Sequence, residues 1–140
     1  MKDFKDIVSK GVGLVSINKN TDERGSLCFA EWDDLPFKPE RIFWIYDVKD
    51  GKSRGCHSHS DCEEVVFAVK GEFDLFIDTG QKQTTIHVDD PQTGVYIGKD
   101  VWCELKNFSS DAVCMVVASI KYMRDGYTNN YEDFKRLNRR

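Results

Sequence analysis

Short runs of β-branched and aromatic residues alternate with turn residues along most of the chain. Runs of roughly four to eight such residues are typical of strands. The pattern predicts strands over residues 41–48, 64–69, 72–78, 84–88, 94–97, 102–106 and 112–119. We expect Lys70 and Gly71 to form the tight turn of a hairpin between the second and third of these strands, because glycine adopts the positive φ that such a turn needs.

The spacing of these runs indicates the fold class. With one more strand around residue 57, roughly eight strands recur about every ten residues, which predicts a sandwich or barrel. The only predicted helix lies near the end, over residues 129–137, where Tyr131, Phe134 and Leu137 fall on one face. No internal repeat or linker interrupts the series, so residues 1–140 are expected to form one all-β domain with a short C-terminal helix.

Composition and charge exclude several classes of function. The chain has 20 basic and 24 acidic residues, a net charge of −4, and no basic block that would favour nucleic acid. A phosphorylated small molecule remains a possible ligand, because it needs only one or two arginines. No stretch has the length of a membrane span, and the N-terminus is too charged for a signal peptide. Five cysteines without a CxxC pair predict reduced thiols in a cytoplasmic protein.

Residues 51–71 carry the candidate chemistry. Gly51, His57, His59, Glu64 and Gly71 stand at fixed intervals that resemble the first motif of the cupins. Side chains alternate along a strand, so His57 and His59 should point the same way, and a neighbouring strand can bring Glu64 alongside. The alternative, two unrelated surface histidines on an edge strand, leaves the full spacing unexplained.

A metal site is one alternative use of this motif. In most cupins these three side chains, with a further histidine from a second motif, hold a divalent metal. The second motif would fall within residues 97–107, where Cys103 occupies the position of the histidine. Thiolate is a good zinc ligand, so a site of His57, His59, Glu64 and Cys103 stays possible. The missing imidazole favours metal-free use of the two histidines, without a cofactor.

Longer stretches resemble the sugar nucleotide 3,4-ketoisomerases, metal-free cupins that act on dTDP-4-keto-6-deoxyglucose. The resemblance extends over nearly the whole chain from about residue 12, and Arg-Gly-x-His-x-His is its most specific element; the matching stretches are residues 22–27, 41–46, 54–59, 101–110, 116–119 and 127–134. It implies a jelly-roll barrel and a homodimer that exchanges N-terminal strands. It also implies a role in making 3-amino-3,6-dideoxy sugars for surface glycans such as lipopolysaccharide.

The implied reaction moves a ketone from C4 to C3 through an enediolate. One group must take the proton from C3 and one must return a proton to C4, and histidine suits both tasks. We expect His57 to be the base and His59 its partner or the proton donor, with the order left open. We also expect the adjacent imidazoles to share about one proton near pH 7.

Four further residues are candidate substrate contacts. Arg54 is either a solvated turn residue or, as the resemblance implies, a clamp for a pyrophosphate oxygen, and Arg24 is a weaker candidate of the same kind. Tyr46 is a candidate lining residue, although an aromatic residue on a strand more often belongs to the core. Relatives commonly have His or Arg where this chain has Cys103, which leaves the galacto or gluco configuration of the product open. The alternative functions are a metal-dependent cupin enzyme and a non-catalytic sugar-binding cupin.

Overall fold

The computed structural model describes residues 2–123 and 125–138. This part of the chain forms twelve strands, two α-helices and one 3-10 helix. In chain order the elements are α1 (Lys5–Lys10), β1 (Val12–Ser16), β2 (Asn18–Asp22), β3 (Gly25–Phe29), the 3-10 helix (Trp32–Asp34), β4 (Arg41–Tyr46), β5 (Arg54–His59), β6 (Glu64–Lys70), β7 (Phe73–Asp78), β8 (Gln83–Val88), β9 (Thr93–Ile97), β10 (Trp102–Lys106), β11 (Val113–Ala118), β12 (Tyr127–Thr128) and α2 (Tyr131–Asn138). Neither α-helix is long and apolar enough to cross a bilayer.

Two five-stranded antiparallel sheets face each other. One has the strand order β1-β9-β6-β11-β4 and the other β12-β5-β10-β7-β8. Alternate side chains of both sheets point into a shared core, as the two-residue period of a strand requires. Core residues from both sheets include Val66, Leu75, Ile77, Val95 and Cys114. The predicted all-β jelly-roll class, with a short C-terminal helix, is confirmed.

The predicted hairpin around Gly71 is wrong. Strand β6 pairs with β9 and β11, and β7 pairs with β8 and β10, so the two strands lie in different sheets. Gly71 has the expected positive φ of 67°, but its turn carries the chain from one sheet to the other. A local run of apolar residues predicts a strand without identifying the strand beside it. Here both edges of β6 are occupied by strands distant in sequence.

Four short strands escaped the sequence prediction. β1, β2 and β3 lie near the N-terminus, and β12 has only two residues. β2 consists of polar, mostly exposed residues, so it lacks the alternation on which a strand prediction depends. Within the described residues, β2 and β3 form a hairpin that pairs with neither of the two large sheets.

The C-terminal helix is held by a buried polar contact and by aromatic packing. The Tyr131 hydroxyl donates a hydrogen bond to Asp78 Oδ2 at 2.6 Å, and Asp78 is fully buried. Phe134 is also fully buried, with its ring 5.8 Å from that of Trp102, whereas Leu137 of the predicted apolar face is exposed. This docking fixes the chain just after β12, the strand that borders β5.

Gly71→Ala is expected to lower the free energy of unfolding by about 2 to 4 kcal/mol. The positive φ alone costs a residue with a side chain about 1 to 2 kcal/mol, and the added Cβ would collide with Ser109 and Ala112. Gly51→Ala is the matched control, since Gly51 has a φ of 76° and no atom within 4 Å of the added carbon. Urea unfolding measures both variants. Equal losses would mean that the collision contributes nothing.

Candidate active site

A cavity of approximately 250 Å³, here called the histidine cavity, lies between the two sheets. One sheet supplies His57 and His59 from β5 and Cys103 from β10, and the other supplies Arg41 and Glu64 from β4 and β6. The cavity therefore collects the motif residues from strands that are distant in sequence. About half of its lining residues carry polar side chains, and the rest are apolar.

The pairing of β5 sets the positions of the two histidines. His57 is opposite Cys103 of β10, and His59 is opposite Tyr127 of β12. Because alternate side chains share a face, both imidazoles point into the cavity, with ring centroids 4.4 Å apart and planes at 66°. The side-by-side arrangement is the one that the His-x-His spacing predicts.

Tyr127 completes the wall beside the imidazoles. Its ring centroid lies 4.9 Å from that of His57 and 4.4 Å from that of His59, in edge-to-face contact with both. Burial raises the pKa of the Tyr127 hydroxyl, and a hydrogen bond with Arg41 partly offsets that rise. Tyr127 received no role from the sequence, because a single aromatic residue in a two-residue strand produces no pattern.

Burial dominates the electrostatics of the histidine pair. It lowers the pKa of His57 to about 4, with a smaller contribution from the charge of Arg41. It lowers the pKa of His59 to about 3, with contributions from His57 and Arg41. The expectation of a shared proton near pH 7 is therefore wrong, and both rings are neutral. A sequence does not reveal this, because desolvation depends on how deeply the fold buries each ring.

Burial raises the pKa values of Glu64 and Cys103, whereas it lowers those of the two histidines. Burial raises the pKa of Glu64 to about 7, against the opposing effect of Arg41. Burial, followed by the nearby Glu64, raises the pKa of Cys103 well above its usual range. The Cys103 thiol donates a weak hydrogen bond to the carbonyl of Gly55 at 3.5 Å. Cys103 is thus a neutral wall residue near pH 7.

Two sets of side chains place potential metal ligands near one another. In one set the ligand atoms of His57, Glu64 and Cys103 lie within 4.8 Å of one another, and in the other those of His59, Cys62 and Glu64 do. Each set contains only one histidine, so the described part of the chain does not bring the four expected ligands together as one set. A metal in the first set would also have to displace the proton of the Cys103 thiol.

Arg54 and Tyr46 border a second depression on the outside of the barrel. This depression, here called the basic depression, has a volume of approximately 370 Å³ and includes Trp44, Tyr46, Lys49, Lys52 and Arg54. Arg54 lines both the basic depression and the histidine cavity. Tyr46 is on the outward face of β4 and lines the basic depression only.

Arg24 lies away from both cavities. It is in the turn between β2 and β3, its side chain is 85% exposed, and its Nη2 atom is 2.6 Å from Oδ2 of Asp22. The single chain thus brings His57, His59 and Cys103 together and places Arg54 at the rim of the same cavity. It does not bring Arg24 to them.

Arg41 is a second cavity residue to which no role could be assigned from the sequence. Along β4, Arg41, Phe43 and Ile45 alternate with outward-facing exposed residues. The guanidinium carbon of Arg41 lies 4.4 Å from the ring centroid of Phe43 and 5.2 Å from that of Tyr122. A cation at a half-buried position of an otherwise apolar alternation is the signal that could have identified it.

Comparisons with known proteins show the family to which this chain is related. Residues 10–139 match a family model described as "FdtA: WxcM-like, C-terminal". The chain is 36% identical over 124 residues to TDP-4-oxo-6-deoxy-alpha-D-glucose-3,4-oxoisomerase of Aneurinibacillus thermoaerophilus, covering 88% of this chain and 89% of that protein.

Two solved structures are similar over most of their length. A 3,4-ketoisomerase from Helicobacter canadensis has a TM-score of 0.85 and 33% identity, covering 90% of this chain and 96% of that one. A histidine-to-asparagine mutant of the 3,4-ketoisomerase QdtA from Thermoanaerobacterium thermosaccharolyticum, in complex with TDP-4-keto-6-deoxyglucose, has a TM-score of 0.87 and 29% identity. That match covers 91% of this chain and 94% of the other.

Acidification from pH 6.5 to 4 is expected to destabilise the fold through His57 and His59. Their pKa values in the fold lie below the ordinary 6.5, so the unfolded chain binds more protons in this window. Each histidine then contributes up to about 1.4 kcal/mol per pH unit to the loss of stability on acidification. Above pH 6.5 the ring is neutral in both states, so the stability no longer changes with pH through these histidines. Glu64, with its raised pKa, acts oppositely between about pH 4.5 and 7.

Urea unfolding at a series of pH values tests this expectation. The double variant His57→Asn/His59→Asn should lose stability less steeply between pH 6.5 and 4 than the unmodified protein. His87→Asn is the control, because His87 is exposed and its hydrogen bond with Asp74 raises its pKa. An unchanged slope in the double variant would show that the two imidazoles are not buried in the neutral form.

Proposed function

The chain belongs to the FdtA family, and on that premise we propose that it is a sugar nucleotide 3,4-ketoisomerase acting on dTDP-4-keto-6-deoxyglucose. The observation that carries the proposal is the pair of neutral imidazoles, 4.4 Å apart, that face one cavity. The names of the relatives describe the same reaction. The enzyme moves the ketone of the sugar from C4 to C3.

Two neutral imidazoles suit a reaction that takes one proton and returns one. A neutral ring has a lone pair that accepts the C3 proton and an N–H group that donates. Because the pKa of each ring is low, the imidazolium formed in the reaction is a strong acid that returns its proton readily. The negative charge of the enediolate opposes this effect and brings the pKa of the imidazolium upwards. The pKa of the imidazolium therefore suits both proton transfers only when substrate is bound.

Arg54 lies between the proposed binding site of the sugar and that of the rest of the substrate. We place the sugar in the histidine cavity and the pyrophosphate against Arg54, with Lys49 and Lys52 nearby. Arg54 lines both cavities, which supports this placement, and a guanidinium binds phosphate oxygens bidentately. The exposed rings of Trp44 and Tyr46 offer surfaces on which a base can stack.

A homodimer with exchanged N-terminal strands accounts for the surface left open by the single chain. The β2–β3 hairpin pairs with neither large sheet in the described residues, and its Leu27 is 58% exposed. β4 is an edge strand, and its outward face includes the exposed Ile42. The free edge of such a hairpin and the free edge of a sheet can form backbone hydrogen bonds with each other between two copies of the chain. The exchange would carry Arg24 to the site of the other copy.

The free cysteines and the proposed reaction together support a proposal for where the protein works and which pathway it supplies. All five cysteines are free thiols in the structure, which supports a cytoplasmic location. We propose that the 3-keto sugar supplies deoxysugar biosynthesis, in which a 3-amino-3,6-dideoxy sugar is made for a surface glycan such as lipopolysaccharide. Cys103 offers no charge near His57, and the configuration of the product at C4 depends on the face that receives the proton.

A metal-dependent enzyme is the second candidate, because two sets of potential ligands share Glu64. In that case activity would be lost in EDTA and restored by a divalent ion. A non-catalytic sugar-binding protein would return the substrate unchanged. One incubation with the keto-sugar in deuterated water, with and without EDTA, separates the three functions.

His57→Asn and His59→Asn test the roles of the two rings. Asparagine keeps polarity but cannot take a proton near neutral pH, so kcat should fall by about 10² to 10⁴ in each variant while substrate binding is kept. NMR measures exchange of the C3 proton with deuterated solvent. The variant that loses this exchange identifies the base, which the sequence analysis expects to be His57.

The outcomes of this experiment are distinct. Full turnover in both asparagine variants would remove the histidines from the chemistry, and with them the isomerase mechanism. His87→Asn is the control and should behave like the unmodified enzyme, since His87 is exposed on β8 and lines neither cavity. Calorimetry with the keto-sugar checks that binding survives, as it does in the histidine-to-asparagine mutant of QdtA.

Mixed dimers test the exchanged hairpin. If Arg24 acts at the site of the other copy, Arg24→Ala mixed with His57→Asn should recover about a quarter of the unmodified activity. Half of the random dimers are mixed, and each then has one intact site of two. Lys19→Ala, a change on the same hairpin away from its tip, should be active alone. No recovery on mixing, or a monomer in analytical ultracentrifugation, would contradict the exchange.

A further inference from the structure

The two histidines of the cavity transfer the proton, but neither of them stabilises the negative charge of the enediolate. An enediolate carries negative charge, and a site that lowers its energy needs donors fixed in advance where that charge develops. Both imidazoles are neutral near pH 7, and the pKa of Glu64 is about 7. Among the residues that the structure describes, Arg41 and Arg54 are the cations that line the cavity. Arg54 is exposed at the rim, where the pyrophosphate is proposed to bind, so Arg41 is the cation that remains for the sugar.

Sheet pairing places Arg41 in the same row as Glu64. Arg41 of β4 is opposite Ala118 of β11, and Ala118 is opposite Glu64 of β6. Residues in one such row point to the same face of a sheet, and neighbouring strands are about 4.8 Å apart. Arg41 and Glu64 thus face the same cavity from strands about 10 Å apart, a distance that an arginine side chain can largely cross.

Aromatic side chains hold the guanidinium beside the imidazoles. Its carbon lies 4.4 Å from the ring centroid of Phe43 and 5.2 Å from that of Tyr122. Tyr127, whose ring contacts both histidines, lies close enough to Arg41 for the guanidinium to lower the pKa of its hydroxyl against the effect of burial. None of the ion pairs found in residues 2–123 and 125–138 includes Arg41. Its guanidinium is therefore not in ion-pair contact with a carboxylate of these residues, and its charge lowers the pKa of Glu64 within the same cavity.

We propose that Arg41 is a catalytic residue whose guanidinium donates hydrogen bonds to the oxygens at C3 and C4 as the enediolate forms, and that Tyr127 is its positioning residue. This proposal rests on the proposed isomerase function. It adds a cation that stabilises the negative charge of the enediolate to the two histidines that transfer the proton.

The step balances without any other reactant. The C3–H bond breaks, its proton goes to an imidazole nitrogen, and its electron pair forms the C3–C4 double bond. The electrons of the ketone move onto the oxygen at C4, which accepts the hydrogen bond from Arg41. The C3 hydroxyl then becomes the ketone as C4 takes a proton, and the proton lost at the C3 oxygen ends on the C4 oxygen. C3 is oxidised and C4 is reduced within one molecule.

A structural role for Arg41 makes a different prediction. A charged residue that points inwards from an edge strand protects the edge against pairing with other chains. Replacing it would then change stability or oligomeric state and leave the chemistry of the folded enzyme intact. Exchange of the C3 proton, measured on folded protein, separates the two roles because it reports enediolate formation alone.

Arg41→Met keeps most of the apolar stem and removes the charge. We expect it to lower both kcat and C3 proton exchange by about 10² to 10³, in line with the loss of a donor to a developing oxyanion. Its affinity for TDP, which lacks the sugar, should stay within about twofold of the unmodified value. Arg54→Ala should show the reverse, with weaker TDP binding. Lys106→Met is the matched control, since Lys106 stacks over Phe76 at 5.2 Å outside the cavity.

Several results would overturn the role of Arg41. Exchange within about threefold of the unmodified rate in folded Arg41→Met would do so, and so would a loss of TDP affinity as large as that of Arg54→Ala. If Arg41→Met does not fold, Arg41→Lys decides, because an ammonium cannot make the paired contacts and should lower exchange about tenfold. Full exchange in folded Arg41→Lys would then exclude the contact. Failure of the unmodified enzyme to convert the keto-sugar would refute the isomerase itself.

Discussion

The position of β5 between β10 and β12 is the constraint on which the site depends. One neighbour sets Cys103 opposite His57, and the other sets Tyr127 opposite His59. β12 has only two residues, too few to stay paired by its own hydrogen bonds. It is kept there by the docking of α2, through Phe134 and the contact of Tyr131 with Asp78. The geometry of the imidazoles thus depends on a helix that does not line their cavity.

Desolvation gives the cavity its chemical character. The same burial that holds the histidines neutral raises the pKa of Glu64 and keeps Cys103 protonated. The result is a site that carries little charge of its own apart from its arginines. In such a low-dielectric space, a charge that appears on the substrate interacts strongly with any fixed cation. The protonation state of the histidines therefore depends on the substrate as much as on the solvent pH.

Much of the fold and part of the site could be predicted because they depend on local patterns. Strand alternation placed β4, β10 and the His57–His59 pair correctly, since two-residue periodicity is a property of each strand alone. Partner strands, burial and side-chain contacts across sheets depend on the whole fold. For that reason the hairpin at Gly71 and the shared proton were wrong, and Arg41 and Tyr127 received no role. Arg24 remains a prediction that only a second copy of the chain can satisfy.

The strand order also has a consequence for how the enzyme reaches its active form. β5 pairs with β10 and β12, and β6 pairs with β9 and β11, so the strands around the cavity find their partners far along the chain. Closing such long loops costs entropy before any contact forms, which makes folding of such topologies slow. A ribosome must release most of the chain before His57 and Tyr127 can meet. Catalytic competence is accordingly among the last properties that a newly made molecule acquires.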